Sequence, residues 1–218
     1  MLEVPLTLAV LSIASAYDLR DRTIPDWIWL VGVISGLILR LIDWRGTLTY
    51  LRTAYPYLAL LGVLLLLEWR FSLSGEADVL AYATLMVTAT APLNPLPAPF
   101  LSYLLSKLLV MLTMPVQFLL NLLRVTKRPD LLRGFDEPLW RRILALLLLT
   151  PYSRHLSVGA RVAEVEVNGR RRFILSAALS PIEEGEMDET EAEGRWIAPT
   201  YPMIPFILAG YVLILLFF

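Results

Sequence analysis

The sequence predicts a mainly α membrane protein: six transmembrane helices with a small cytosolic α+β insert that contains a β-hairpin. Three observations carry this. Hydrophobic residues make up 57% of the 218 positions and charged residues only 18%, against about 45–50% and about 25% in soluble domains. Long apolar stretches recur near the length that a bilayer-crossing helix needs, roughly 20 residues. The charge is also unevenly placed, with 24 of 39 charged residues between Arg124 and Pro199.

The spans follow in order. Leu2–Tyr17 holds one charge, Glu3, at its edge, and Trp27–Ile42 holds only Arg40. Leu51–Trp69 is apolar between Arg52 and Glu68, Val79–Leu96 is uncharged, and Phe100–Leu123 contains only Lys107. Trp196–Phe218 is uncharged for 23 residues. Several spans are short, so they stand nearly upright or are extended by snorkelling side chains. The first span lacks a basic leader and a small-residue cleavage site, and is read as a retained helix.

Basic residues orient the chain. With the N-terminus outside, the inside segments carry 15 of the 19 Lys and Arg residues, as the positive-inside rule requires. Arg45 and Arg52 run against it. The expected location is the plasma membrane, multi-pass, with both termini outside and the insert in the cytosol. Trp27, Trp29, Trp44, Trp69 and Trp196 fall at predicted span ends, where amphipathic rings prefer the interface.

The expected domain plan is five helices over 1–123, a cytosolic domain over 124–199 and a sixth helix over 200–218. Within the insert, Ala163–Val167 alternates apolar and polar residues, Asn168-Gly169 follows, and Arg170–Leu175 continues. Asn-Gly between strand-like runs signals a hairpin, because both turn residues must adopt φ > 0. An acidic strand facing a basic one suits cross-strand pairing. The apolar run Ile143–Leu149 beside Trp140 is too short to span and predicts a core or interfacial helix. Glu183–Gly194 has seven acids and no base, which reads as a flexible loop. Net charge is +6 over Arg124–Arg172 and −6 over Phe173–Pro199. This is internal balance on a solvated face, or else an acidic loop that attracts a basic ligand segment.

Cysteine is absent, which excludes a disulfide framework, a thiolate zinc site and a Cys nucleophile. The single histidine, His155, leaves little material for a His-based metal site or triad, and reads as a surface or core residue. No internal repeat, phosphate-binding loop or nucleic-acid-binding pattern is present. Gly32 and Gly36 sit inside the second span, where close helix packing is their expected role.

Charges in or beside a span are costly and therefore become functional candidates. They are Asp18, Glu68, Asp78 and Lys107. Asp18 ends the first span, in Tyr17-Asp18-Leu19-Arg20-Asp21-Arg22-Thr23-Ile24-Pro25-Asp26. Pro25 and Asp26 suit the start of a helix. Asp78 opens the fourth span in Ser74-Gly75-Glu76-Ala77-Asp78. Topology puts Asp18 and Asp78 at a similar depth on one side. Two neighbouring carboxylates do not both ionise easily, so one holds a proton while the other is a base. A helix-capping role for Asp78 is compatible with this. Glu68 reads as a solvated interfacial charge, and Lys107 as a side chain that snorkels or meets a carbonyl. Pro115 reads as a kink, and Pro199, Pro202 and Pro205 delay the last helix.

The Asp18 segment, the Gly-x-x-Asp at Gly75–Asp78 and six spans resemble the archaeal prepilin and preflagellin peptidases, GxGD-type intramembrane aspartyl proteases. The resemblance extends over nearly the whole chain, including the soluble insert and the Pro-rich approach to the last span. It implies a membrane aspartyl endopeptidase with Asp18 and Asp78 as catalytic residues and no cofactor. The implied partners are pilin-like or flagellin precursors, cut at the cytosolic face, and the lipid bilayer. Basic leaders would be attracted by Asp21, Asp26, Glu68 and Glu76, beside Gly75. One departure stands out: the family has Gly directly before the second Asp, and this chain has Ala77. The bacterial relatives carry a cysteine zinc module and also methylate the new N-terminus, so the missing cysteines imply cleavage without methylation. Two other readings stay open. One is an ion- or proton-coupled transporter using the same carboxylates, although inverted repeats and midplane breaks are not visible. The other is a membrane scaffold that presents the insert. The particular precursor and the oligomeric state are not legible.

Overall fold

The computed structural model describes residues 2–71, 74–89, 96–152, 160–167, 169–178 and 194–217. The chain is mainly helical, and its contacts divide it into two compact units, Met1–Val110 with Pro202–Phe218, and Met111–Tyr201.

The first unit is built from α1 (Glu3–Arg20), α2 (Asp26–Ile42), α3 (Trp44–Arg70), α4 (Glu76–Thr88), the N-terminal part of α5 (Ala98–Lys127) and the last helix, α7 (Met203–Phe217). α3 and α5 are long and apolar enough to cross a bilayer, and α7 is a shorter apolar helix. α5 runs unbroken through Pro115. α1 packs on α7, α2 and α4. The shared core holds Leu11 and Ala14 of α1, Ala81, Tyr82 and Leu85 of α4, and Ile204 and Ile207 of α7. α2 begins at Asp26 after Pro25, as expected, since the fixed φ of proline suits the start and the acid meets the positive helix end.

Gly32 and Gly36 do let α2 approach α4. A Cβ on Gly32 would lie 2.8 Å from Thr84 Cγ2, and one on Gly36 2.8 Å from Thr88 Cγ2. Arg40, one turn further along α2, donates to the carbonyls of Val87 (2.7 Å) and Met86 (2.8 Å). It thereby satisfies carbonyls that the end of α4 leaves without helical partners.

The sixth span does not start where expected. Trp196–Ala198 is a strand, and the helix begins only at Met203. Pro199 and Pro202 have no N–H to donate and push their preceding residues toward extended backbone. Trp196 is 1% exposed and donates from its indole to the Leu131 carbonyl at 3.0 Å. It is therefore a core residue of the second unit rather than an interfacial one. Trp29 is likewise buried, whereas Trp27, Trp44 and Trp69 are exposed.

Among the described residues, the second unit takes the rest of α5, two 3₁₀ turns (Pro129–Leu132 and Leu175–Ala178), α6 (Leu139–Leu148) and five short strands. The strands are β1 (Thr150–Pro151), β2 (Arg161–Val162), β3 (Glu164–Val167), β4 (Arg170–Phe173) and β5 (Trp196–Ala198). β5 lies between β1 and β2, antiparallel to both. β3 and β4 form the expected hairpin, with Val165 opposite Arg172 and Glu166 opposite Arg171. Gly169 has φ +73°, the left-handed geometry that the turn needs. The charge pairing is diagonal: Arg171 bonds Glu164 at 2.7 Å. In the core Phe135 stacks on Phe173, and Phe173 meets Trp196 edge-to-face. His155 and 183–193 of the acidic loop lie outside the described residues.

Candidate active site

Asp18 is buried in the last turn of α1. A carboxylate there faces the negative end of its own helix dipole, which is unfavourable. The compensation comes from another helix: Asp18 Oδ2 accepts the backbone N–H of Ile204, in the first turn of α7, at 3.1 Å. The first turn of a helix leaves its N–H groups without helical acceptors. Proline supplies none at Pro205, so Ile204 is one of few donors there. The Pro-rich approach to the last helix thus ends on Asp18.

Arg22 lies in the turn after α1, with φ 56°, a left-handed backbone that non-glycine residues rarely adopt. Its charge acts on Asp18. Burial holds the guanidinium below its ordinary range, and the Asp18 carboxylate opposes that shift.

Asp78 is the third residue of α4. Its Oδ2 accepts the backbone N–H of Gly75, the residue that caps the helix, at 3.1 Å. This is one half of a capping box. A negative charge in a first turn also matches the helix dipole. α1 and α4 pack together, and the charges of Lys107, Asp18 and Glu68 all act on Asp78. With Ala77 before it, Asp78 still takes an ordinary helical position. The other expected site residues are exposed: Asp21 and Asp26 flank the turn after α1, and Gly75 and Glu76 open α4. Asp21 pairs with Arg20 at 3.6 Å.

A polar cluster beside Asp78 corrects two expectations. Glu68 is no solvated interfacial charge. Its carboxylate accepts from Tyr103 Oη (2.8 Å), Ser74 Oγ (2.6 Å) and Lys107 Nζ (3.0 Å). Lys107, expected to snorkel or meet a carbonyl, has carboxylate and hydroxyl partners among the described residues. It pairs with Glu68 and also reaches Ser74 Oγ at 3.2 Å. Tyr82 packs edge-on against Tyr103, with centroids 5.2 Å apart, and its hydroxyl bonds Ser106. A charge inside an apolar helix is expensive alone, and mutual pairing within the bundle removes much of that cost. Tyr82, Tyr103 and Ser106 escaped the sequence reading. One signal was available: Tyr103, Ser106 and Lys107 stand at i, i+3 and i+4, one polar face on an apolar helix.

No curated protein and no solved structure matches the chain. A family model, the type IV leader peptidase family, matches residues 6–121. That stretch is more than half of the chain and includes most of α1, all of α2 to α4, most of α5 and both aspartates. The chain belongs to the type IV leader peptidase family.

Proposed function

We propose that this protein is a membrane aspartyl endopeptidase that removes the leader peptide of pilin-like or flagellin precursors at the cytosolic face. Asp18 and Asp78 are its catalytic pair. The observation that carries the reading is the position of the two acids. They stand at the ends of two packed helices, α1 and α4, each carboxylate anchored by one backbone N–H, inside the region that matches a peptidase family. Both of these bonds are made by Oδ2. Family membership favours hydrolysis over solute transport.

In this mechanism the pair shares one proton. The ionised aspartate takes a proton from water as the water oxygen bonds to the scissile carbonyl carbon. The protonated aspartate gives its proton to the carbonyl oxygen. The tetrahedral diol then collapses: as the C–N bond breaks, one diol hydroxyl returns its proton to the second aspartate, and the departing nitrogen receives the proton that the first took from water. No acyl-enzyme forms. Asp21, Asp26 and Glu76, exposed near the two acids, attract a basic leader. The six-span arrangement, with both termini outside, presents this site to the cytosol. The chain has no cysteine, and it cleaves without methylating the new N-terminus.

The test uses the full chain in detergent or membranes with a pilin-like or flagellin precursor. Asp18→Asn and Asp78→Asn should each lower the cleavage rate by roughly 10²–10⁴-fold, the usual contribution of a positioned acid or base. Retention of full activity by either variant would remove that residue from the pair. Failure of the intact protein to cleave any such precursor would overturn the substrate assignment.

A further inference from the structure

The exposed face of α6 contradicts the habit of a solvated helix. Leu139, Trp140 and Ile143 share one side and are 74%, 60% and 46% exposed. The two charged residues of the helix, Arg141 and Arg142, instead turn into the unit. Arg141 donates to the Phe173 carbonyl at 2.9 Å and pairs with the buried Glu137. Arg142 donates to the carbonyls of Phe135 (2.9 Å) and Glu137 (3.0 Å). The opposite face, with Ala145 and Leu146, is already buried in the core. A helix that is apolar on both faces has a second apolar surface to satisfy.

Two further observations say what covers that surface. Asn121, in α5, donates to the carbonyls of Leu146 (2.8 Å) and Leu149. This fixes the C-terminal end of α6 beside the last turns of a candidate membrane span. On that span, exposed apolar side chains continue through Leu119, Leu120 and Leu123. The end of α5 and the start of the connector to α6 also expose Lys127, Arg128 and Arg133, with Asp130 between them and Asp136 paired to Arg170, a narrow basic excess beside the span's end that suits anionic headgroups.

We propose that α6 is an interfacial helix. It lies in the headgroup region where α5 leaves the bilayer, with Leu139, Trp140 and Ile143 turned into lipid. An interfacial helix buries its apolar face about 5–10 Å into the headgroup and acyl boundary, and Trp140 is the ring type that favours that depth. The inference is independent of the catalytic assignment.

The chain lacks cysteine, so single sites can be spin-labelled without background. Trp140→Cys, Ile143→Cys and, on the exposed hairpin, Val165→Cys are introduced into the full chain. Each is reconstituted in vesicles of phosphatidylcholine and phosphatidylglycerol, with helical circular dichroism as the folding check. Labels at 140 and 143 should collide severalfold more with oxygen, which concentrates in lipid, than with a water-soluble nickel chelate. The label at 165 should show the reverse. Nickel access at 140 and 143 equal to that at 165 would overturn the proposal. Screening of both labels from both agents would also overturn it, since that marks a protein contact such as a second copy.

Discussion

Glu68 and Lys107 illustrate how a residue acquires meaning from its partners. Each is an isolated charge in an apolar helix when read along the chain. Together they form an ion pair with side chains 14% and 30% exposed, shared with Tyr103 and Ser74. Removing one partner strands the other, and buried pairs broken in this way typically lose about 3–5 kcal/mol. Partial exposure places this pair lower, at about 1–3 kcal/mol. Lys107→Met and Glu68→Gln should each destabilise the protein by that amount in denaturant unfolding of the detergent-solubilised chain. The double variant should lose less than the two singles combined, because neither charge is then left alone. Additive losses would show that the two side chains do not act as a pair.

At the scale of elements, the α2–α4 contact decides how closely two short helices approach. It uses Gly32 and Gly36, one turn apart on the same face of α2, against Thr84 and Thr88 of α4. Gly36→Val puts methyl groups where Thr88 Cγ2 and Val87 Cγ1 already lie within 3.0 Å of an added Cβ. Overpacking of this kind costs about 1–3 kcal/mol. Gly62→Ala, where nothing lies within 4 Å, should be neutral or stabilising by up to about 1 kcal/mol, since alanine is the better helix former. Comparing the two unfolding midpoints checks the contact, and an equal response would remove it. Asp78 belongs to this scale too. Its bond to Gly75 starts α4, so the proposed catalytic residue also sets where its helix begins.

Across the whole molecule, orientation rests on the uneven distribution of basic residues. In the proposed topology, with the N-terminus outside, the α2–α3 corner faces outward and the α5–α6 connector faces the cytosol. In intact cells, a membrane-impermeant maleimide should label Arg45→Cys. It should label Arg133→Cys only after the membrane is opened. The reverse pattern would invert the topology and place the proposed site on the outer face. The hairpin, the start of α2 and the glycine contact were legible in the sequence because each depends on neighbours within a few residues, or on one repeated spacing. The start of α7 was half legible: the prolines signalled delay, but Trp196 looked interfacial and proved to be the centre of a core. A lone aromatic beside an apolar run gives no sign of which surface receives it.

By itself the sequence determined that the protein is rich in apolar helices, which segments are charged, and which two acids stand at helix ends. Composition and short-range periodicity carry those properties, and they survive without tertiary contacts. Only the folded chain decided that Asp18 is held by Ile204, 186 positions away, and that Glu68 and Lys107 meet across 39. A carboxylate at the wrong end of its own helix, or a charge in an apolar one, finds little compensation within that helix, and a nearby turn residue such as Arg22 or Ser74 supplies only part of it. The rest must come from another helix, and packing alone selects which one.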